Sequence, residues 1–300
     1  MKQVTLLVLT NFAVLTMLSV LLAVLRVLGV IPPDLGLSSY TGMLLLSALM
    51  GFGGAFLSLA MSKSMAKRST GAQVIVQPQS EVERWLVRTV QRQAQAAGID
   101  MPEVAIYRSD DMNAFATGMS KNSSLVAVST GLLSRMTRDE VEAVLAHEIT
   151  HAANGDMTTL TLVQGVTNTF VYFIPRVVGD IVDSAMSRGE QRRGRGPAYL
   201  LIVMVMQFLL GILATIIVRW FSRYREFKAD AGAARLEGAD KMISALRRLK
   251  TSAPPELPAS MEAMGIAGNV GALFATHPPL DLRIAALGGA TARRDGTWGG

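Results

Sequence analysis

The sequence predicts an α+β membrane protein with two N-terminal transmembrane helices, a small sheet leading into a capped helix, and an apolar helical hairpin inserted into the soluble part. Three observations predict it. Half of the 300 residues are hydrophobic and only 17% are charged, and mean hydropathy is +0.34. That is too apolar for an average soluble chain, so part of it lives in lipid. Within the first 62 residues lie two long uncharged runs. Residues 74–136 have the mixed texture of a soluble domain, and further apolar runs then interrupt it before polar sequence resumes at 221.

The first run, Val4 to Leu25, is 22 residues without a charge, and the second, Leu35 to Ser62, is 28. Each is long enough to cross about 30 Å of hydrocarbon as a helix. Lys2 before the first run has the look of a signal peptide, but the run exceeds the usual apolar core and no small-residue cleavage site follows. The connection Gly29 to Tyr40 holds no Lys or Arg, whereas Lys63, Lys67 and Arg68 follow the second run closely. Positive-inside bias therefore places the N-terminus and everything after Lys63 in the cytoplasm, and the expected location is the plasma (inner) membrane, crossed more than once.

Ser80 to Glu83 is a capping box that opens a helix with apolar Val82, Leu86 and Val90 and a stop at Gly98. Val104 to Tyr107 and Leu125 to Val128 read as strands, with Asn113 to Gly118 a shorter strand between them. A second capping box at Thr137 to Glu140 opens the next helix, and Asn154-Gly155 stops it. Met157 to Pro175 is a weak apolar run in which seven of 19 residues are Thr, Gln or Asn, and Pro175-Arg176 is expected to break it. Ala198 to Val218 has 21 residues and no charge. Between these runs sit Arg188, Arg192, Arg193 and Arg195, which two crossings would translocate against the positive-inside tendency. Zero or two crossings both return the chain to the cytoplasmic side, and two is the expectation. Ser252 to Ser260, with its prolines, reads as an exposed loop, and 288–300 as a frayed tail.

The chemistry centres on the capped helix. His147, Glu148 and His151 form an H-E-x-x-H pattern from two of only three histidines in the chain, so chance placement is a poor explanation. Residues i and i+4 share one helix face, and both imidazoles can reach one tetrahedral zinc ion. Glu148 then stands beside the ion as the base that deprotonates its water. With no cysteine in the chain, a thiolate site, a disulfide and a cysteine nucleophile are all excluded. A third ligand must come from elsewhere. Glu226 and Asp230, also four apart, offer one carboxylate for the metal and one to orient a histidine through its free ring N–H. Spacing alone does not say which is which.

The set His147-Glu148-x-x-His151-x-x-Asn154-x-Asp156, then Arg225-Glu226-Phe227-x-Ala229-Asp230, then Thr276-His277-Pro278-Pro279 with Arg283, resembles the HtpX-type membrane zinc metallopeptidases. These are relatives of the CAAX prenyl proteases and, more distantly, of thermolysin-like gluzincins. The resemblance covers nearly the whole chain and implies a gluzincin-like catalytic domain. It implies one Zn2+ per chain on His147, His151 and Glu226, with Glu148 as base and Asp230 behind a histidine. It further implies that Asn113-Ala114-Phe115 is an edge strand that pairs with extended substrate, Asn113 bonding a peptide amide, and that His277 donates to the oxyanion. Arg283 would pair with Asp230 or steady His277. Thr150 stands where the family usually has serine, at a position expected to face away from the metal.

The expected organisation is 1–62 transmembrane helices, 63–156 first catalytic part, 157–220 apolar hairpin, 221–287 second catalytic part and 288–300 tail. The expected function is a zinc endopeptidase at the cytoplasmic membrane face that cuts misfolded or membrane polypeptides, and the resemblance implies a role in quality control and stress response. A net charge of +6 is scattered rather than striped, which favours membrane lipid over nucleic acid as counter-charge. Two rivals remain: an idle zinc-stabilised scaffold, disfavoured because structural zinc prefers thiolates, and a CAAX-type processing protease, which needs more spans.

Overall fold

The computed structural model describes residues 37–186, 196–251 and 277–294, together with positions 20, 23, 24 and 27. The chain is α+β: long helices with one small sheet. In order the elements are α1 (Leu37–Thr70), β1 (Gln73–Val74), α2 (Glu81–Ala97), β2 (Glu103–Tyr107), β3 (Ala114–Ser120), β4 (Ser123–Ser129), α3 (Thr130–Arg135), α4 (Arg138–Asn154), α5 (Asp156–Met186), α6 (Pro197–Glu237), α7 (Ala239–Lys250) and α8 (Leu280–Arg294). The expected span Val4 to Leu25, the arginine loop after Met186 and the loop Ser252 to Ser260 lie outside the described residues, apart from isolated positions in the first.

The chain divides into two compact units, one of 1–58 with 159–218, the other of 59–158 with 219–300. The first is helical. Tyr40 and Leu44 of α1 pack with Phe173 and Val177 of α5. Farther along the same pair, backbones approach so closely that a Cβ on Gly51 would fall 2.7 Å from Thr169 Oγ1, and one on Gly165 would fall 2.4 Å from the Phe52 ring. Small residues at such a crossing replace the hydrophobic drive that lipid removes. Among the described residues, α1 from Tyr40 and α6 have the length and apolarity of membrane spans, with mean hydropathy over the best window of 1.9 and 2.8. They contain the expected runs Leu35 to Ser62 (from Leu37) and Ala198 to Val218.

Two expectations are corrected. Pro175 does not end the second apolar run, since α5 continues through it to Met186. Phe173 and Val177 on either side are buried, and that packing outweighs the one hydrogen bond that a proline removes. The frayed tail does not begin at 288 either. Helix α8 runs to Arg294, nucleated by buried Arg283 and Leu287 and extended by helix-favouring alanines; 295–300 lie outside the described residues.

The second unit is built on a four-stranded sheet in the order β1-β2-β4-β3, with β2 parallel to β4 and the other pairs antiparallel. This leaves β3 on an edge. Both capping boxes form: Ser80 with Glu83 starts α2, Thr137 with Glu140 starts α4, and left-handed glycines at 98 and 155 end them. Helix α4 is buried along most of its length, and its apolar residues join Leu86 and Val90 of α2, Val126 and Val128 of β4, and Met242 and Leu246 of α7 in one core. On the other sheet face Ala66 of α1 packs with Ala105, Phe115 and Leu125. Lys63 ion-pairs with Glu103 at 2.7 Å and Lys67 joins it, so two of the cations that follow the second apolar run fasten the end of α1 to β2.

Helix α4 receives α6 at one point of closest approach. Thr150 turns away from the histidine face, donating its hydroxyl to Ala146 O at 2.7 Å, and Gly232 lies against it. A Cβ on Gly232 would meet Thr150 Cγ2 at 2.2 Å. Gly232→Ala should therefore lower thermal stability by about 1–3 kcal/mol through overpacking. Adding Thr150→Ala should restore part of that loss, measured by thermal unfolding of the purified protein.

Candidate metal centre

Helix α4 carries the H-E-x-x-H residues in its last two turns. His147, Glu148 and His151 are all buried. The i, i+4 spacing turns both rings to one side, and their Nε2 atoms stand 3.1 Å apart. Helix α6 then brings Glu226 to the same point. Its Oε1 is 3.1 Å from His151 Nε2 and its Oε2 is 3.4 Å from His147 Nε2. Three ligand atoms, one from each residue, fall within 4.8 Å of one another. Ligands of a tetrahedral ion with bonds near 2.05 Å are separated by about 3.3 Å, so the spacing fits zinc. The donor set of two imidazoles and one carboxylate leaves a fourth position open, as catalytic sites do.

Behind each imidazole stands a carboxylate. Asp230 Oδ1 lies 3.0 Å from His147 Nδ1, and Asp156 Oδ2 lies 2.6 Å from His151 Nδ1. The ambiguity between Glu226 and Asp230 is thus resolved by one helical turn: Glu226 faces the Nε2 atoms and Asp230 an Nδ1 atom. Arg283 enters from α8 with no exposed surface. It grips Asp230 through Nε at 2.8 Å and Nη2 at 2.6 Å, and its Nη1 lies 3.3 Å from Glu226 Oε2. The expected pairing with Asp230 is present, and a planar two-point grip of this kind is the strong form of the ion pair.

Electrostatics follow from burial and these partners. Desolvation would lower the pKa of His151, but Glu226 and Asp156 outweigh it and hold the ring up to about 10. Burial likewise opposes the charge on His147, and Asp230 and Glu226 win. For Asp230 burial works upward, and Arg283 overrides it to bring the carboxyl down to about 2. Glu226 sits well below the carboxylate range because the histidines together outweigh its desolvation. A pocket that prefers positive charge so strongly is one a divalent cation can enter by displacing protons. Glu148 differs. Burial dominates and raises its pKa, with Glu226 adding to the rise, while the histidines and a hydrogen bond from the Ala116 backbone oppose it. A carboxylate shifted upward in this way is a stronger proton acceptor than an exposed one.

The Ala116 contact turns the outer edge of β3 toward Glu148, and the backbone hydrogen bonds of Asn113 run the other way. Asn113 precedes β3, its N–H donates to Ser129 Oγ at 3.1 Å, and its carbonyl accepts from Ser129 N at 2.9 Å. Its backbone is therefore committed to β4 and cannot pair with an added strand. Its side chain is buried. His277 lies inside the cluster with Nδ1 2.8 Å from Glu226 Oε2, directed at the third carboxylate. Burial, its leading influence, lowers its pKa.

Two residues carried no expected role. Asp156, the first residue of α5, was visible only as the last letter of the quoted motif. Arg225 is buried and donates through Nη1 to the Asp156 carbonyl at 2.7 Å. No sequence signal marks that partner, because a backbone carbonyl is present at every residue.

A family model described as peptidase family M48 matches residues 80–291. The chain is similar to a protein named Protease HtpX from Alkalilimnicola ehrlichii, 58% identical over 296 residues, covering 96% of this chain and 97% of that protein. It is also similar to a Protease HtpX homolog from Nitrosomonas europaea, 55% identical over 291 residues, 96% of this chain and 99% of that protein. Among solved structures, Ste24p of S. mikatae aligns with a TM-score of 0.57 at 17% identity, covering 91% of this chain. The chain spans 65% of the length of that structure, and the likeness is one of fold.

Two outcomes are expected from the site. Asp156→Ala should weaken zinc affinity 10- to 100-fold, read by competition with a chromophoric chelator, while the metal-free protein keeps its helical content. Because the Asp230 pKa is depressed, its contribution to stability is complete above its ordinary value of 3.8 and is lost as pH falls toward about 2. Asp230→Asn should accordingly cost on the order of 2 kcal/mol at neutral pH and flatten the acid limb of a stability–pH curve.

Proposed function

The chain belongs to peptidase family M48, and on that footing we propose that it is a zinc endopeptidase whose His147, His151 and Glu226 hold one ion per chain. What carries the reading is the convergence of those three buried ligand atoms with Glu148 beside them. When bound, zinc supplies a Lewis acid for the scissile carbonyl and lowers the pKa of its water to about 7. Glu148 accepts the proton of the attacking water at its carboxylate and returns it to the leaving amine. Asp230 and Asp156 keep the Nδ1 protons of His147 and His151 in place, which aims both Nε2 lone pairs at the ion. Arg283 holds Asp230 and balances the charge of Glu226. His277, against Glu226, completes the wall of the site and stands where a developing oxyanion would draw a donor.

The substrate lies as an extended strand along the outer edge of β3, from Ala114 onward, where main-chain pairing reads backbone rather than side-chain sequence. Polypeptides are the substrate class. The two long apolar helices and the cluster Lys63, Lys67 and Arg68 support a chain embedded in the plasma (inner) membrane with the site on the cytoplasmic face. Residues 157–220 enter and return on the same side, keeping the two halves of the ligand set together. An enzyme so placed meets the cytoplasmic segments of membrane proteins, and misfolded ones expose the extended backbone that strand addition requires.

Reconstituted with zinc and a membrane-anchored model substrate, the Glu148→Gln protein should retain its metal and lose cleavage by about 100- to 10,000-fold. Undiminished cleavage would sink the assigned base. His147→Ala, His151→Ala and Glu226→Ala should each lose zinc on dialysis, and a Glu226→Ala protein with full metal content would overturn the third ligand.

A further inference from the structure

The part of α6 that belongs to the catalytic unit is amphipathic in the inverted sense. Its inner face carries Ser222, Arg225, Glu226 and Asp230, all buried. Its outer face carries Trp220, Tyr224 and Phe227 at helical spacing, with Trp220 61% and Tyr224 50% exposed. Charges inside and aromatics outside reverse the pattern that water imposes on a surface helix. The aromatics are also ordered among themselves. The Trp220 and Tyr224 rings stack with planes 8° apart and centroids separated by 6.3 Å, and Lys228 Nζ sits 4.6 Å from the centre of the Tyr224 ring. Arg219 and Arg223 lie along one flank of this stripe and Lys228 along the other. In sequence the stripe begins two residues after the uncharged run Ala198 to Val218.

We propose that the face formed by Trp220, Tyr224 and Phe227, flanked by Arg219, Arg223 and Lys228, is a lipid-binding surface that seats the catalytic unit at the headgroup level of an anionic bilayer. Amphipathic rings partition to that level because one part is apolar and the other bears a polar N–H or O–H. The three cations match the phosphates found there. The consequence for the enzyme is a depth gauge. Trp220 and Glu226 are six residues apart on one helix, about 9 Å along its axis at 1.5 Å per residue. A ligand fixed at that distance restricts cleavage to polypeptide segments within a turn or two of the headgroups. This deepens the membrane reading above, and its test uses no activity measurement, so either can fail without the other.

The full-length protein carrying Trp85→Phe and Trp298→Phe, which leaves Trp220 as the single tryptophan, is reconstituted into phosphatidylcholine–phosphatidylglycerol vesicles. The lipids are brominated either near the carbonyl end or near the middle of the acyl chain. The expected result is loss of most Trp220 emission to the shallow bromines, much less to the deep ones, and protection from aqueous acrylamide. The difference in quenching between the wild-type protein and Trp220→Phe gives the same readout without the double substitution. Quenching by acrylamide but not by bromolipid would overturn the proposal by showing the face in water. Protection from both would overturn it by showing a second copy or another polypeptide on the face. Stronger quenching by the deep bromines would overturn the assigned level.

Discussion

Glu226, only 2% exposed, is an ionised carboxylate inside a protein core, and nearly everything else in the catalytic unit is arranged around keeping it so. Moving such a group out of water costs several kcal/mol unless partners replace the lost hydration. Here they come from three directions. His147 and His151 reach it from α4, Arg283 from α8, and His277 from the residues leading into α8. Removing one of these leaves a buried charge only partly compensated. The same requirement explains why Arg283 is fully buried. Asp230 behind His147 adds a second negative charge, and one guanidinium placed between Asp230 and Glu226 serves both.

This charge balance depends on close packing. Helix α6 delivers Glu226 and Asp230 to α4 only because Gly232 has no side chain to strike Thr150. Asp156 is positioned from the other end, where Gly155 in a left-handed conformation lets the chain turn directly from α4 into α5. Arg225 then fixes that turn by its backbone carbonyl. Glycine is needed at 155 because other residues rarely adopt that backbone region. The two carboxylates behind the histidines are therefore held by different means, one by an arginine on its oxygens, the other through its main chain.

Much of this was legible locally. The capping boxes at Ser80 and Thr137, the glycine stops at 98 and 155, the apolar runs of α1 and α6 and the shared face of His147 and His151 all depend on spacing within a few residues. Misreadings arose where a local rule met tertiary packing. Pro175 signals a break by itself, yet buried Phe173 and Val177 carry the helix through it. Gly288 and Gly289 suggest fraying, yet Arg283 and Leu287 anchor the helix that contains them.

The sequence by itself determined the donor types, their i, i+4 spacing and the absence of thiols, together with the length and apolarity of α1 and α6 that suit them to lipid. These are properties of composition and of periods of 3.6 residues, which any stretch of chain declares on its own. Only the tertiary structure decided which carboxylate of the pair at 226 and 230 faces the Nε2 atoms, that Arg283 is buried between them, and that Ala116 N–H and the Asp156 carbonyl belong to the site. The reason is physical. Backbone donors and acceptors are the same at every residue, and an ion pair across 53 positions exists only once separate helices have been packed into one core.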